Sequence, residues 1–292
     1  MILISLNGGL GNQLFQYALG RRLSYERNFP LRFDLSALEA SWSIRRYKLG
    51  CFKIYGQPVS EEERKQFERH ENALLGGKVA SLWRKYLPYY RQRSVTEKIV
   101  TFDENILKVP SNVFLQGYWQ TEKYFVSIRS ALQKELQLNV PLDSTNQDML
   151  KAIQCENSVS VHIRRGDYVS NPETNKAHGV LPLSHYDKAI KMIKEKVSFP
   201  HFYVFSDDAA WCRDNFRDLE NVTFVSHNDS EHDYFDFALM KECRFHIIAN
   251  SSFSWWAAWL SDYGNKIVIA PKQWYQTDQD TRDLLPEDWI KI

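Results

Sequence analysis

The chain has 292 residues, 43% of them hydrophobic and 25% charged, and a formal net charge of +1. That is enough apolar material to bury a large core in one large or two medium domains. A charge so near zero argues against bulk attraction to nucleic acid.

In chain order, the short apolar run 1–6 reads as a strand and passes directly into Asn7-Gly8-Gly9-Leu10-Gly11-Asn12-Gln13. Leu14, Phe15, Ala18, Leu19 and Leu23 then fall at helical spacing over residues 14–26. A strand, a glycine-rich turn and a helix start bring backbone N–H groups close to a phosphate. The same glycines also suit a tight strand-to-helix turn and nothing more. Their spacing is neither G-x-G-x-x-G nor that of a P-loop, which lacks its Lys-Ser/Thr here. A second helical pattern covers 61–70. Residues 78–93 set Trp83, Tyr86, Tyr89 and Tyr90 among Lys78, Arg84, Lys85, Arg91 and Arg93, with apolar residues at helical spacing up to Pro88. Such a basic, aromatic helix suits weak contact with a membrane surface; the plainer reading packs its apolar face on the protein's own core. Residues 113–116 read as a strand and 122–136 as a helix. The polar patch 141–146 is the best domain boundary, dividing the chain into 1–143 and 144–292.

In the second half, Val159, Val161 and Ile163 alternate with Ser160, His162 and Arg164, the period of a strand with one apolar and one polar face. His162 and Arg164 share the polar face at the strand's carboxyl end, where open α/β sheets bind ligands. Arginine forks match phosphate oxygens bidentately, so Arg164 and Arg165 beside a histidine suit an anionic, phosphate-rich group. They equally spell a surface Arg-Asp pair with Asp167, or an Arg-Gly-Asp sequence. Residues 202–206 form a further strand ending in Asp207 and Asp208, which suit a metal, a base or ribose, or the cap of the next helix. Residues 222–225, 245–249 and 266–270 read as strands, and 185–196 and 234–242 as helices. After 245–249 come Asn250-Ser251-Ser252-Phe253-Ser254, whose hydroxyls suit helix caps and phosphate oxygens alike. Trp255, Trp256 and Trp259 suit core packing better than a sugar platform. Strands alternating with helices predict an α/β fold with parallel sheets.

The block Gly8–Tyr17, the block 116–125, His162-Ile163-Arg164-Arg165-Gly166-Asp167-Tyr168, Phe205-Ser206-Asp207-Asp208 and Ser251-Ser252-Phe253-Ser254-Trp255-Trp256-Ala257 together resemble the bacterial α-1,2-fucosyltransferases of glycosyltransferase family eleven. The blocks stand in that family's order. The resemblance implies a GT-B-like architecture of two Rossmann-like domains, with the donor held mainly by the C-terminal one and the acceptor by the N-terminal one. It implies transfer of L-fucose from GDP-β-L-fucose to the 2-hydroxyl of a galactose-terminated glycan, with inversion. Arg164 is then the leading catalytic cation, with Arg165 a second phosphate contact or a partner of Asp167. His162 would touch guanine or phosphate, or be satisfied in the core. Gly9, Gly11 and Asn12 would close over the phosphates or fucose, Ser252, Phe253 and Ser254 would bind phosphate, and Asp207 or Asp208 would read guanine. No metal and no other cofactor is expected, since the arginines take the place of a divalent ion. Glu122 is a possible base, or a surface acid. The alternatives are a GDP-fucose transferase of another linkage and a non-catalytic carbohydrate-binding protein.

Cys51, Cys155, Cys212 and Cys243 show no metal-ligand spacing, so free thiols in a reducing compartment are expected. No stretch reaches bilayer-spanning length, and the first residues lack a signal peptide's basic segment, so a cytoplasmic location is expected.

Overall fold

The computed structural model describes residues 1–41, 43–73 and 86–292. They form two units, Met1–Leu136 with Arg282–Leu284, and Gln137–Thr281 with Leu285–Ile292. The division falls ahead of the polar patch 141–146. Asp143 caps the helix Ser144–Cys155, its carboxylate accepting from the Asn146 N–H at 2.8 Å.

The first unit carries a parallel sheet of β1 (Ile2–Ser5), β2 (Leu31–Asp34), β3 (Gln57–Pro58), β4 (Ser94–Thr96) and β5 (Val113–Gln116), in the order β3-β2-β1-β5-β4. Central β1 is buried along its whole length, which is why its sequence is a continuous apolar run rather than an alternating one. The helix Leu10–Arg27 follows it, four residues ahead of the predicted start and covering the glycine Gly11. Strands β2, β3 and β4 are only four, two and three residues long and leave no periodic signal to read. The helix Glu61–Ala73 agrees with expectation.

The predicted helix over 122–136 is broken. Two 3-10 turns, Glu122–Tyr124 and Val126–Ile128, precede a short helix Arg129–Glu135. Phe125 interrupts the run at φ −143°, ψ 1°, which seats its ring in the core 5.9 Å from that of Phe15. Burial of one large ring thus outweighs the local helical pattern. Of the amphipathic pattern over 78–93, residues 78–85 lie outside the described residues; the remainder holds a 3-10 turn, Tyr89–Arg91, after Pro88.

The second unit carries β6 (Asn157–Ile163), β7 (Pro200–Ser206), β8 (Val222–Val225), β9 (Phe245–Ile247), β10 (Val268–Ala270) and β11 (Ile290–Lys291), all parallel, in the order β11-β10-β9-β6-β7-β8. Val159, Val161, Ile163, Phe202, Val204 and Ile247 pack with Tyr186, Ala189 and Ile193 of the helix Leu183–Lys196. On the helix Ser252–Leu260, Trp255, Trp256 and Trp259 are buried and in mutual ring contact, so the tryptophans are core. Because every strand runs the same way, the loops after β6, β7 and β9 leave one edge of the sheet. No described helix is long and apolar enough to cross a membrane.

Candidate functional site

At that edge of the second unit, β6 lies between β9 and β7, so three connections meet: 164–165 with the short helix Gly166–Ser170 after it, 207–208, and 248–251. Arg164 follows β6 and is held on two sides, by Asp167 Oδ1 at 2.5 Å and Asp207 Oδ2 at 2.7 Å. Burial opposes its charge, but Asp207 and Asp167 more than offset this, so the guanidinium stays protonated. Two of its five N–H groups are used in these pairs. Its guanidinium carbon lies 5.7 Å from the Tyr168 ring centre. Arg165 takes a different partner. Its Nε donates to Asp208 Oδ2 at 3.0 Å, and its guanidinium stacks over Trp211 at 4.0 Å.

The two carboxylates at the end of β7 serve this loop. Asp207 Oδ1 accepts from the backbone N–H groups of Arg165 and Gly166, at 2.8 and 3.0 Å, while its other oxygen pairs with Arg164. A side chain at Gly166 would put its Cβ 2.5 Å from Asp207 Oδ2, so only glycine lets the loop close on the carboxylate. Asp208 caps the helix Ala209–Asn215 by accepting from the Trp211 N–H at 3.1 Å. Its bonds to Arg165 and Trp211 hold the carboxyl below the usual range. The partners of Asp207 and Asp208 are thus arginines and backbone amides, an arrangement that fixes the two guanidiniums.

His162 is buried, and Nδ1 pairs with Ser254 Oγ at 2.9 Å. Burial pulls its pKa down to about 4, so the ring is neutral at neutral pH and the site's cations are guanidiniums alone. The bond ties the end of β6 to the first turn of the helix Ser252–Leu260, and Tyr168 adds a second tie by donating to the Asn250 carbonyl at 3.0 Å. Ser251 stands at that helix's N-cap in extended conformation without a side-chain capping bond. Phe253 packs its ring between His162 and Phe237, 5.6 Å from each. The first turn of the helix, its positive dipole end, is thereby fixed to the end of β6. Arg164, Arg165, Asp167, Asp207, Asp208, His162, Ser252, Phe253 and Ser254 are all brought to one edge.

Sequence reading missed Trp211, the platform under Arg165, because a lone tryptophan in a short helix carries no signal of its own. It also missed Asp236, on the helix Asp233–Glu242. Burial pushes that carboxyl up to about 7, against an opposing bond from Asn228 Nδ2 at 2.7 Å.

In the first unit, Gly8 has φ +75°, and Gly9 is the extended N-cap of Leu10–Arg27 with no side-chain cap. Gly11 is buried in the first helical turn. Asn12 Oδ1 accepts from Gln120 Nε2 at 2.9 Å. Gln13 spans the turn, donating to the carbonyls of Gly8 and Arg46 and accepting from the Lys48 N–H. Glu122 lies in a 3-10 turn. Glu97, unremarked in the sequence, accepts from the N–H groups of Tyr118 and Trp119. Burial raises its carboxyl above the ordinary range, and those two bonds act against the rise. Among the described residues no group of three His, Cys, Asp or Glu side chains is disposed to hold a metal ion.

Residues 82–292 match the family described as Glycosyl transferase family 11. The chain is 35% identical to an alpha-1,2-colitosyltransferase of Escherichia coli, over 100% of this chain and 99% of that protein. It is 34% identical to the O-antigen biosynthesis glycosyltransferase WbnK of Escherichia coli, over 98% and 99%. A galactoside alpha-(1,2)-fucosyltransferase 2 of Bos taurus is 30% identical over 58% of this chain and 51% of its own length. Among solved structures, a mutant of Arabidopsis thaliana FUT1 in complex with GDP aligns with TM-score 0.52 at 10% identity, covering 98% of this chain and 74% of that one. The fucosyltransferase NodZ from Bradyrhizobium aligns with TM-score 0.50 at 12% identity, covering 88% and 92%. At such identities the likeness is one of fold, and the fold class is that of the GT-B-like fucosyltransferases.

Proposed function

The chain belongs to glycosyltransferase family 11, and from that premise we propose that it transfers L-fucose from GDP-β-L-fucose to the 2-hydroxyl of a galactoside. The product would carry an inverted, α-1,2 linkage and serve the assembly of a bacterial surface glycan. One observation carries the reading: a charged Arg164 braced by two carboxylates at the end of β6, the strand whose His162 is tied to the helix Ser252–Leu260 through Ser254. The whole-length relatives named for α-1,2 transfer and O-antigen synthesis support it.

When the bond from the anomeric carbon to the phosphate oxygen breaks, negative charge grows on the β-phosphate. Fixed cations and amide dipoles aimed at that oxygen supply the largest stabilisation available to such a reaction. Arg164 would take the developing charge, with Arg165 as a second cation held flat on Trp211. The backbone N–H groups of Ser252 and Phe253 and the Ser252 hydroxyl would bind the remaining phosphate oxygens, while Ser254, buried and bonded to His162, would hold that turn in place. Asp167, Asp207 and Asp208 would act by holding the two arginines in place. In the first unit, Gly9, Gly11 and Asn12 would face a substrate. The acceptor oxygen would attack the opposite face of the sugar, giving inversion. Guanidinium charge makes a divalent ion unnecessary in this scheme.

A second reading has a specific basis. The 35% identity to a colitosyltransferase runs over the full length of both chains. Colitose is fucose without its 3-hydroxyl, so the same site would serve either nucleotide sugar. The test offers GDP-fucose and GDP-colitose separately to the purified protein, with EDTA and a panel of β-galactosides including lactose and N-acetyllactosamine. A fucosyl product on O2 of galactose supports the first reading, and a product from GDP-colitose alone supports the second. Loss of transfer in EDTA, restored by a divalent ion, overturns the metal-free scheme. Absence of both product and GDP binding overturns the assignment of the donor site.

A further inference from the structure

We propose that Glu97 is a positioning residue, whose half-buried carboxylate fixes the glycine turn and Asn12 of the first unit for the transfer reaction. The inference rests on the reading above that this turn meets a substrate.

Glu97 directly follows β4, whose neighbour in the sheet is β5. Its N–H continues the ladder one residue further, donating to the Gln116 carbonyl at 2.8 Å. The carboxylate then folds over the loop that leaves β5. Oε2 accepts from the Tyr118 N–H at 2.6 Å and Oε1 from the Trp119 N–H at 3.0 Å. Two successive amides gripped by one carboxylate define the backbone direction at that point. Trp119 needs such a grip, because it sits at φ +59°, a left-handed conformation disfavoured for a bulky residue. Gly117 is required for the same closure. A Cβ there would lie 2.4 Å from the Cβ of Glu97.

Two arms leave this turn and end on either side of Gly8 and Gly9. Along one, Gln120 Nε2 donates to Asn12 Oδ1 at 2.9 Å. This orients the Asn12 amide with Nδ2 against Gly8, 2.5 Å from where a Cβ would stand. Along the other, the Gly117 carbonyl accepts from Gln16 Nε2 at 3.0 Å, and Gln16 Oε1 accepts from the Asn7 N–H at 3.0 Å. Gln16 and Gln120 are both buried, so water does not compete for these bonds. The carboxylate of Glu97 is the fixed point from which both arms start. A glutamine there keeps the shape and one acceptor oxygen but presents an N–H₂ group to the second amide, so the grip fails without a cavity.

The test uses the full-length protein and the variants Glu97→Gln, Asn12→Ala, Gln120→Ala and the double variant Glu97→Gln/Asn12→Ala. Two readouts are taken, steady-state kinetics and hydrogen–deuterium exchange over residues 7–13 and 117–120. Glu97→Gln is expected to lower kcat on the order of tenfold to a hundredfold, as displaced positioning groups do, while the KM for the nucleotide sugar stays within about twofold. Exchange should quicken in both segments. Gln120→Ala, which leaves the carboxylate untouched, should quicken exchange in 7–13 only. The double variant should turn over no more slowly than Asn12→Ala, because both changes break one linkage. Additive losses in the double variant, or faster exchange in Glu97→Gln confined to 117–120, would overturn the proposal. Normal turnover by Asn12→Ala with exchange still coupled would support the link and overturn the substrate-facing reading of the turn.

Discussion

Arg164 and Arg165 are neighbours in sequence with unequal tasks, and their partners say why. Arg164 is clamped by two carboxylates, Asp167 and Asp207. Arg165 has one carboxylate and an indole. Arg164→Ala is therefore expected to lower kcat by about 10²–10³, equivalent to about 2.7–4 kcal/mol of barrier, with the fold intact. Arg165→Ala should cost less in kcat and more in affinity for GDP, since one of two phosphate cations would go. Steady-state kinetics with calorimetric GDP titration separates the two outcomes. Equal losses in both variants would refute the division of roles. The arginines were legible because alternation over 158–163 places them at a strand end, and the serines because they follow the apolar run 245–249. Their braces were not, because Asp207 and Trp211 reach them only through the neighbouring strand β7 and the helix after it. A single sequence shows which residue types are present, whereas pairing across strands fixes which of them meet.

At the scale of elements, the helix Ser252–Leu260 joins the site to the core. Ser254 faces His162, while Trp255, Trp256 and Trp259 lie in the interior. Trp256→Ala would leave a large cavity and cost about 3–5 kcal/mol, read as a lower urea midpoint with loss of GDP binding in step with unfolding. The second unit also carries a pH signature. Burial lowers His162 and His185 to about 4 and His246 to about 3. A histidine with a depressed pKa in the fold favours its neutral form there, so its contribution is complete above about 6.5 and is lost as pH falls towards 4. Asp236, raised to about 7 by burial, acts in the opposite sense, since its ionised form is disfavoured in the fold. Its penalty builds between about pH 4 and 7 and is relieved by acid. Three histidines outweigh one carboxyl, so urea unfolding should show lower stability at pH 5 than at pH 7. Asp236→Asn should be more stable than the parent at pH 8, with the gap closing towards pH 4. A gap constant with pH would remove the account given for that carboxyl. The helices 185–196 and 234–242 were legible from their long amphipathic patterns. The helix over 122–136 was not, because seating Phe125 in the core required a break that no local pattern announces.

For the whole molecule, each unit is a parallel α/β layer whose loops leave the carboxyl ends of its strands, and the proposed donor groups come from three such loops of the second unit. GDP at about 100 times its Kd should stabilise the protein by about 2.7 kcal/mol. Hydrogen-exchange protection should centre on residues 164–168, 207–208 and 251–254. Protection absent from those segments would displace the donor site. The sequence by itself determined the α/β class, the parallel strands and the family, because apolar runs alternate with helical patterns and the motif blocks lie within single strand-to-loop segments. Only the tertiary structure decided that His162 is a neutral brace and that Asp207 holds Arg164 and the Gly166 loop. These outcomes depend on burial and on pairing between residues about 40 to 90 positions apart, and chain order encodes no distance of that kind.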